Sequence, residues 1–221
     1  TGGNVSLYNE SIDDEGNKKP IQPTPVIGMV GVLDNVKQAV SSGWKNINDE
    51  IWIIGSKDSG LTLGATSYLE YFHGQITGRP PSLNLIDEKL CQLFIRNGIL
   101  NNLIISSHDV SDGGLAIALA ESCILSDKGA SINLIANERI DSLLFSEGGS
   151  RIIFSISHMK KNEWLKFVSE ESKNFTDSIY ITKIGTVLQD TLKIKISDNI
   201  ICNLKISSLA DKFNNGLSNN F

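Results

Sequence analysis

Apolar residues in this chain fall in short runs, and the runs alternate between two spacings. Ile51-Trp52-Ile53-Ile54 and Leu103-Ile104-Ile105 are continuous apolar stretches of strand length. Ser131–Ile135, Arg151–Ile156 and Ile179–Val187 read as further strands. Between them the period lengthens. Tyr68–His73 reads as a helix broken by Arg79-Pro80-Pro81. Ile86, Leu90, Leu93 and Phe94 recur at helical spacing, with Asp87 and Glu88 in the first turn and Gly98 as the stop. Glu138–Leu144 is a short helix, and Lys160–Ser172 is helical with Trp164, Leu165 and Val168 as its apolar stripe. Leu192, Ile194 and Ile196 alternate with polar residues. Across Asp198-Asn199, Cys202, Leu204 and Ile206 alternate again, which predicts an edge hairpin with one wet face. The pattern predicts a mixed α/β (α+β) fold, with helices on a mainly antiparallel or mixed sheet.

The first 45 residues differ. TGGNVSLYNE is extended after its glycines, and Asp13-Asp14-Glu15-Gly16-Asn17-Lys18-Lys19 is a charged turn. A calcium loop would need a glutamate at its twelfth position, where Thr24 stands, so a solvated hairpin tip is the better reading. Pro20, Pro23 and Pro25 stiffen the return, and Val26–Leu33 reads as a buried strand. From Asp34 to Asn48 runs a short helix-like piece and a polar connector. Two extended segments hold too little apolar surface to fold alone. The expected division is therefore 1–45 as the end of one domain, 46–213 as a second, and 214–221 as a frayed polar tail. The chain opens at Thr1-Gly2-Gly3 inside what reads as a motif, which suggests an excerpt of a longer protein.

Composition narrows the function classes. Among 221 residues, 20 Lys and Arg against 25 Asp and Glu leave a charge of −5, with no clustered basic face to attract nucleic acid. The longest apolar run, Val26–Leu33, is far too short to span a bilayer. Cys91, Cys123 and Cys202 are widely separated, and no Cys-x-x-Cys pair exists. That favours a reduced, cytoplasmic setting without a zinc site.

The stretch richest in chemistry is Ser106-Ser107-His108-Asp109-Val110-Ser111-Asp112-Gly113-Gly114-Leu115, between an apolar strand and a small-residue helix. Two glycines permit positive φ and the close approach of another group. The amides opening the helix favour an anion, and Asp109 and Asp112 could hold a cation beside it. A nucleotide phosphate with Mg²⁺ would supply both charges. The plainer alternative is an Asp N-cap on a core helix. Gly55–Gly64 loosely resembles a phosphate loop, but no Gly-Lys-Ser/Thr follows, so that reading fails.

Three separated stretches carry a family resemblance: Gly3-Asn4-Val5-Ser6-Leu7-Tyr8-Asn9-Glu10, then Pro23–Gly31, then His108–Leu115. Together they resemble the C-terminal part of the large synthetase subunit of the phosphoribosylformylglycinamidine synthase family. The last motif is shared across the aminoimidazole ribonucleotide synthetase superfamily. The resemblance runs from residue 1 to about 206. It implies the end of a β-rich sheet domain followed by an α/β domain of the aminoimidazole ribonucleotide synthetase type. It also implies ATP-dependent conversion of formylglycinamide ribonucleotide, with ammonia from a glutaminase subunit, to the amidine. A small accessory subunit is a further implied partner, and ATP and Mg²⁺ are the implied cofactors.

Carried over by position, Gly3 resembles the glycine touching ATP, Asn4 the amide whose oxygen holds Mg²⁺, and Ser6 the hydroxyl contacting the ribonucleotide. In an extended segment Asn4 and Ser6 share a face. Gly2 stands where the family usually has Ser. The family's catalytic histidine and main metal carboxylates belong to a first repeat, so His73, His108 and His158 inherit no catalytic role, and His108 reads as a turn or packing residue. Asp109 and Glu147 resemble a degenerate second site that holds a structural nucleotide in some relatives. Gly148-Gly149 departs from the family's usual residues there. Two rival readings stand beside this one: another ATP-using synthetase of the superfamily, and a non-catalytic scaffolding half.

Overall fold

The computed structural model describes residues 9–21, 27–57, 61–136 and 139–216, in two compact units that divide after Asp34. In the first unit, β1 (Glu10–Ile12) and β2 (Lys18–Pro20) form an antiparallel hairpin. Asp13 Oδ1 accepts from the amides of Glu15 at 3.1 Å and Asn17 at 2.8 Å, and Lys19 Nζ lies 2.9 Å from Asp13 Oδ2. The Asp13 carboxylate therefore closes a turn, as the hairpin-tip reading requires. Residues 27–33 do not form the expected buried strand. They have no regular structure, and Met29, Val30 and Val32 are each at least 91% exposed. Among the described residues of this unit the only strand pairing is β1 with β2, and residues 27–33 take no part in it.

The second unit is built on a seven-stranded sheet in the order β4-β6-β3-β7-β5-β8-β9. Its strands are β3 (Glu50–Ser56), β4 (Ile104–Asp109), β5 (Gly129–Leu134), β6 (Ile152–Ile156), β7 (Ile179–Leu188), β8 (Thr191–Ile196) and β9 (Asn199–Lys205). Only β5 and β8 pair in parallel; the other neighbours are antiparallel. The helices are α1 (Ser67–His73), α2 (Leu85–Leu100), α3 (Gly114–Ser126), α4 (Ile140–Phe145), α5 (Lys161–Glu171) and α6 (Ile206–Asn215). The expected mixed α/β class holds.

Period-two alternation in β3 sends its side chains to two separate cores. Ile51 and Ile53 join Leu115, Leu119, Leu144 and Ile206 under α3, α4 and α6. Ile54, with Trp52 packed beside it, joins Phe94, Phe154, Trp164 and Phe167 under α2 and α5. Trp164 is fully buried at the centre of that second core, 5.4–5.7 Å from the rings of Trp52, Phe94, Phe154 and Phe167.

Three local expectations change. Gly98 does not end α2, which continues to Leu100; a Cβ there would stand 2.5 Å from Ile104 Cδ1, so this glycine lets the helix pack tightly on β4. The alternation of the last hairpin stops at Lys205. Ile206 is the first residue of α6, where Ile206 and Leu209 pack on the core at helical spacing, and Leu204 is 46% exposed. The short helix expected after Asp34 is a single 3₁₀ turn, Val36–Gln38, capped by Asn35. No helix among the described residues is long and apolar enough to cross a membrane. Cys91 and Cys123 are buried, and burial pushes both thiols up to about 12, leaving them unreactive packing groups.

One polar cluster ties the sheet to α2. Asp87 is fully buried and accepts hydroxyl hydrogen bonds from Ser56 and Ser178 at 2.5 Å and from Thr176 at 2.6 Å. Burial pushes its pKa up, but the three hydroxyl donors outweigh that and hold the carboxyl below its usual value. Asp87→Asn is expected to lower stability by about 2–4 kcal/mol at neutral pH, because charge-assisted bonds are lost and one amide oxygen replaces two carboxylate oxygens as acceptor for three hydroxyls. A folded-state pKa depressed below the unfolded one gives stability that is full above about pH 4–5 and is lost as pH falls through the folded value. Urea melts of both forms across pH 2–7 check this: the gap between them should close on the acid side.

Candidate functional site

Strand β4 runs on to Asp109, so the turn proper is Val110–Gly113, and α3 begins at Gly114. Gly113 and Gly114 have φ of 75° and 70°. A Cβ on Gly114 would meet the carbonyl oxygens of Leu144 and Ser146 at 2.7 Å. Both properties expected of this glycine pair are present, and the group that approaches is the backbone at the C-terminal end of α4.

That approach brings in Glu147. Its Oε1 accepts from Gly113 N at 2.7 Å and from Ser67 N at 3.0 Å, joining the N-terminal ends of α3 and α1. The anion at the start of α3 is therefore a side chain of the chain itself. The Asp N-cap alternative does not hold, because the cap residue is Gly113, which has no capping side chain of its own. Asp109 is 76% exposed at its side chain and Asp112 is exposed. Among the described residues no three His, Cys, Asp or Glu side chains are grouped to hold a metal ion.

His108 is largely buried. Its Nε2 lies 3.1 Å from Glu121 Oε2 and its Nδ1 2.7 Å from the Asp109 carbonyl, linking β4 to α3. This geometry fits the packing role expected for it. His73 ends α1 with its ring against Tyr68, and His158 Nδ1 lies 3.7 Å from Asp49 Oδ1.

Beside the turn lies a cleft of about 460 Å³ lined by Glu88, Asp109, Ser111, Glu147, Ser150 and Arg151, among others. Most of its carboxylates are already engaged. Glu88 accepts from Ser150 Oγ at 2.6 Å and from Gln92 Nε2 at 2.7 Å, while Glu147 holds the two helix starts. Arg151, only 3% exposed, donates to the carbonyls of Ser146 and Gly148 and so fixes the loop that carries Glu147. Sequence reasoning assigned Arg151 no part. Its available signal was a lone cation directly before the apolar run Ile152-Ile153-Phe154. Gly3, Asn4 and Ser6, the expected ATP, metal and substrate contacts, lie outside the described residues.

Glu147→Gln is expected to cost about 1–2 kcal/mol, because one charged acceptor serves two helix-start amides. Asp109→Ala should stay within about 0.5 kcal/mol of the parent, as a surface change does. Paired thermal melts decide. Equal losses for the two variants would deny Glu147 its role.

Residues 46–190 match the family described as "AIR synthase related protein, C-terminal domain". Across all of its length the chain is 62% identical to "Phosphoribosylformylglycinamidine synthase subunit PurL" of Prochlorococcus marinus strain AS9601, and covers 28% of that protein. It is 61% identical, again over its whole length and 28% of the relative, to the protein of the same name from strain MIT 9301. Among solved structures it resembles "T. maritima PurL complexed with FGAR", with a TM-score of 0.61 and 16% identity over 79% of this chain and 30% of that one. That last likeness concerns the fold. The chain thus spans just over a quarter of the length of the curated relatives it matches. With the turn Val110–Gly113, strand β4 and helix α3 all inside the matched span, the chain belongs to the family of AIR synthase related proteins, C-terminal domain.

Proposed function

We propose that this chain is part of an ATP-dependent ligase of purine biosynthesis. The reaction joins ammonia to formylglycinamide ribonucleotide at the expense of ATP, giving formylglycinamidine ribonucleotide, ADP and phosphate. The observation that carries this reading is the high identity, sustained over the whole chain, to proteins named phosphoribosylformylglycinamidine synthase subunit. The motif Gly3–Glu10 adds residue-level support.

In this reading residues 1–45 end a sheet domain, 46–213 form an α/β domain, and 214–221 are a tail. Gly3 lets ATP approach the backbone, Ser6 contacts the ribonucleotide, and Asn4 offers its amide oxygen to Mg²⁺. The donor chemistry suits that ion. Mg²⁺ takes few protein ligands and completes its shell with phosphate oxygens and water, and a neutral oxygen adds no charge beside phosphate. Bound there, the ion would offset phosphate charge during transfer. The ammonia comes from a glutaminase subunit, a small accessory subunit completes the assembly, and the complex works in the cytoplasm.

This chain alone is expected to give no amidine from formylglycinamide ribonucleotide, ATP and ammonia, because the family's catalytic histidine is assigned to another repeat. Any turnover by the purified chain above a no-protein control refutes that assignment.

In the complete enzyme, Asn4→Leu removes the amide oxygen while roughly keeping volume. Loss of one inner ligand is expected to raise the Mg²⁺ needed for half-maximal ATP use by about tenfold, equivalent to about 1.4 kcal/mol. The thermal melt should not change. Unaltered Mg²⁺ dependence rejects Asn4 as a ligand, and a collapsed melt marks it as a turn residue instead.

A further inference from the structure

A second cavity, of about 710 Å³, opens where α3 and α4 stop covering the sheet. Its floor is Ile53 of β3 with Tyr180 and Ile184 of β7, and Leu115 and Leu143 form one wall. The charge along it is one-sided. Its cations are Lys57 and Arg151, with Lys183 lining it by position while its ammonium turns to Glu50 on the opposite face of the sheet. Among the described lining residues there is no Asp or Glu, in a chain whose net charge is −5.

These cations are not equivalent. Lys183 is paired with Glu50 at 2.7 Å. Lys57 is exposed, and the only described partner of its ammonium is the Asp177 carbonyl at 3.4 Å. Arg151 is buried, and its described acceptors are the two loop carbonyls of Ser146 and Gly148, with no carboxylate among them. A guanidinium buried without a counter-ion is costly, and neutral carbonyls recover only part of its lost hydration. Burial accordingly lowers the Arg151 pKa and raises that of Tyr180, which stays a neutral phenol able to donate.

Gly55 brings these two groups together. A Cβ there would stand 2.7 Å from Tyr180 Oη and 2.9 Å from Arg151 Cγ, so the phenol and the arginine lie side by side at a strand position that has no side chain. The arrangement is an apolar floor and wall with a buried arginine beside a half-buried phenol at one end and a lysine at the rim.

We propose that this cavity binds a small organic anion, its apolar body against Leu115, Leu143 and Ile184 and its carboxylate or phosphate on Arg151, Tyr180 and Lys57. The proposed ligand contacts include none of Gly3, Asn4 and Ser6, and they do not depend on the ligase reading. Arg151 would also link the bound anion to the loop carrying Glu147, since the same guanidinium holds that loop's carbonyls.

The test titrates the chain with two fluorescent dyes of similar shape, anionic 1-anilinonaphthalene-8-sulfonate and uncharged N-phenyl-1-naphthylamine. Benzoate and phenyl phosphate then serve as competitors. The anionic dye is expected to bind about tenfold more tightly than the neutral one. Lys57→Glu should remove that preference without moving the melt, because Lys57 is exposed. Arg151→Gln should remove it as well; if that variant melts early, the Lys57 result decides. Displacement by benzoate assigns a carboxylate ligand, and displacement by phenyl phosphate alone assigns a phosphate. Equal binding of the two dyes, an unchanged preference in Lys57→Glu, or no displacement by either competitor at millimolar concentration overturns the proposal.

Discussion

A strand can be apolar on both faces only where both faces are covered, and β3 is the strand on which that condition rests. Ile51 and Ile54 are fully buried on opposite sides, and Ile53 is nearly so. Burial of each such side chain is worth about 1.5–3 kcal/mol, so a few residues here set much of the domain's cohesion. Because β3 requires cover twice, helices must lie on both sides: α3, α4 and α6 over one core, α2 and α5 over the other. The ladders to β6 and β7 then satisfy its backbone on both edges.

This constraint also explains what the sequence made legible. Strands and helices between residues 50 and 188 could be read because each carries its own period in consecutive residues. The mixed α/β class followed from their alternation. Features that depend on distant partners could not be read. Asp87 looked like an ordinary acidic residue of a first helical turn, since its donors come from positions 56, 176 and 178. Gly98 looked like a stop because a helix that must approach Ile104 uses the same residue as a helix that ends. At Ile206 the two periods overlap, and a residue that continues a strand's alternation also starts a helix.

The candidate site was legible in the same partial way. The glycine pair, the strand before it and the helix after it follow from local chemistry. What fills the helix start does not, because Glu147 comes from a loop held by Arg151, beyond another strand and helix. A carboxylate in that place gives α3 a counter-charge from within the chain and ties α1 to it. The carboxylates of the neighbouring cleft are thereby largely committed to holding the loop and the helix starts.

Strand β7 joins the two halves of the sheet, with β4, β6 and β3 on one side and β5, β8 and β9 on the other. During synthesis Ile51–Ile54 emerges long before Ile152–Ile156 and Ile179–Leu188, the two strands that will flank it. Until then an aromatic and β-branched segment with no charge stands without its native edges, the kind of segment that pairs readily with other chains. Closure of the sheet therefore comes late and through contacts of long sequence separation, which makes folding slow relative to the local helices. For a cell making this protein, the time between translation of residue 54 and residue 188 is the interval of greatest aggregation risk, and chaperone protection would matter most there.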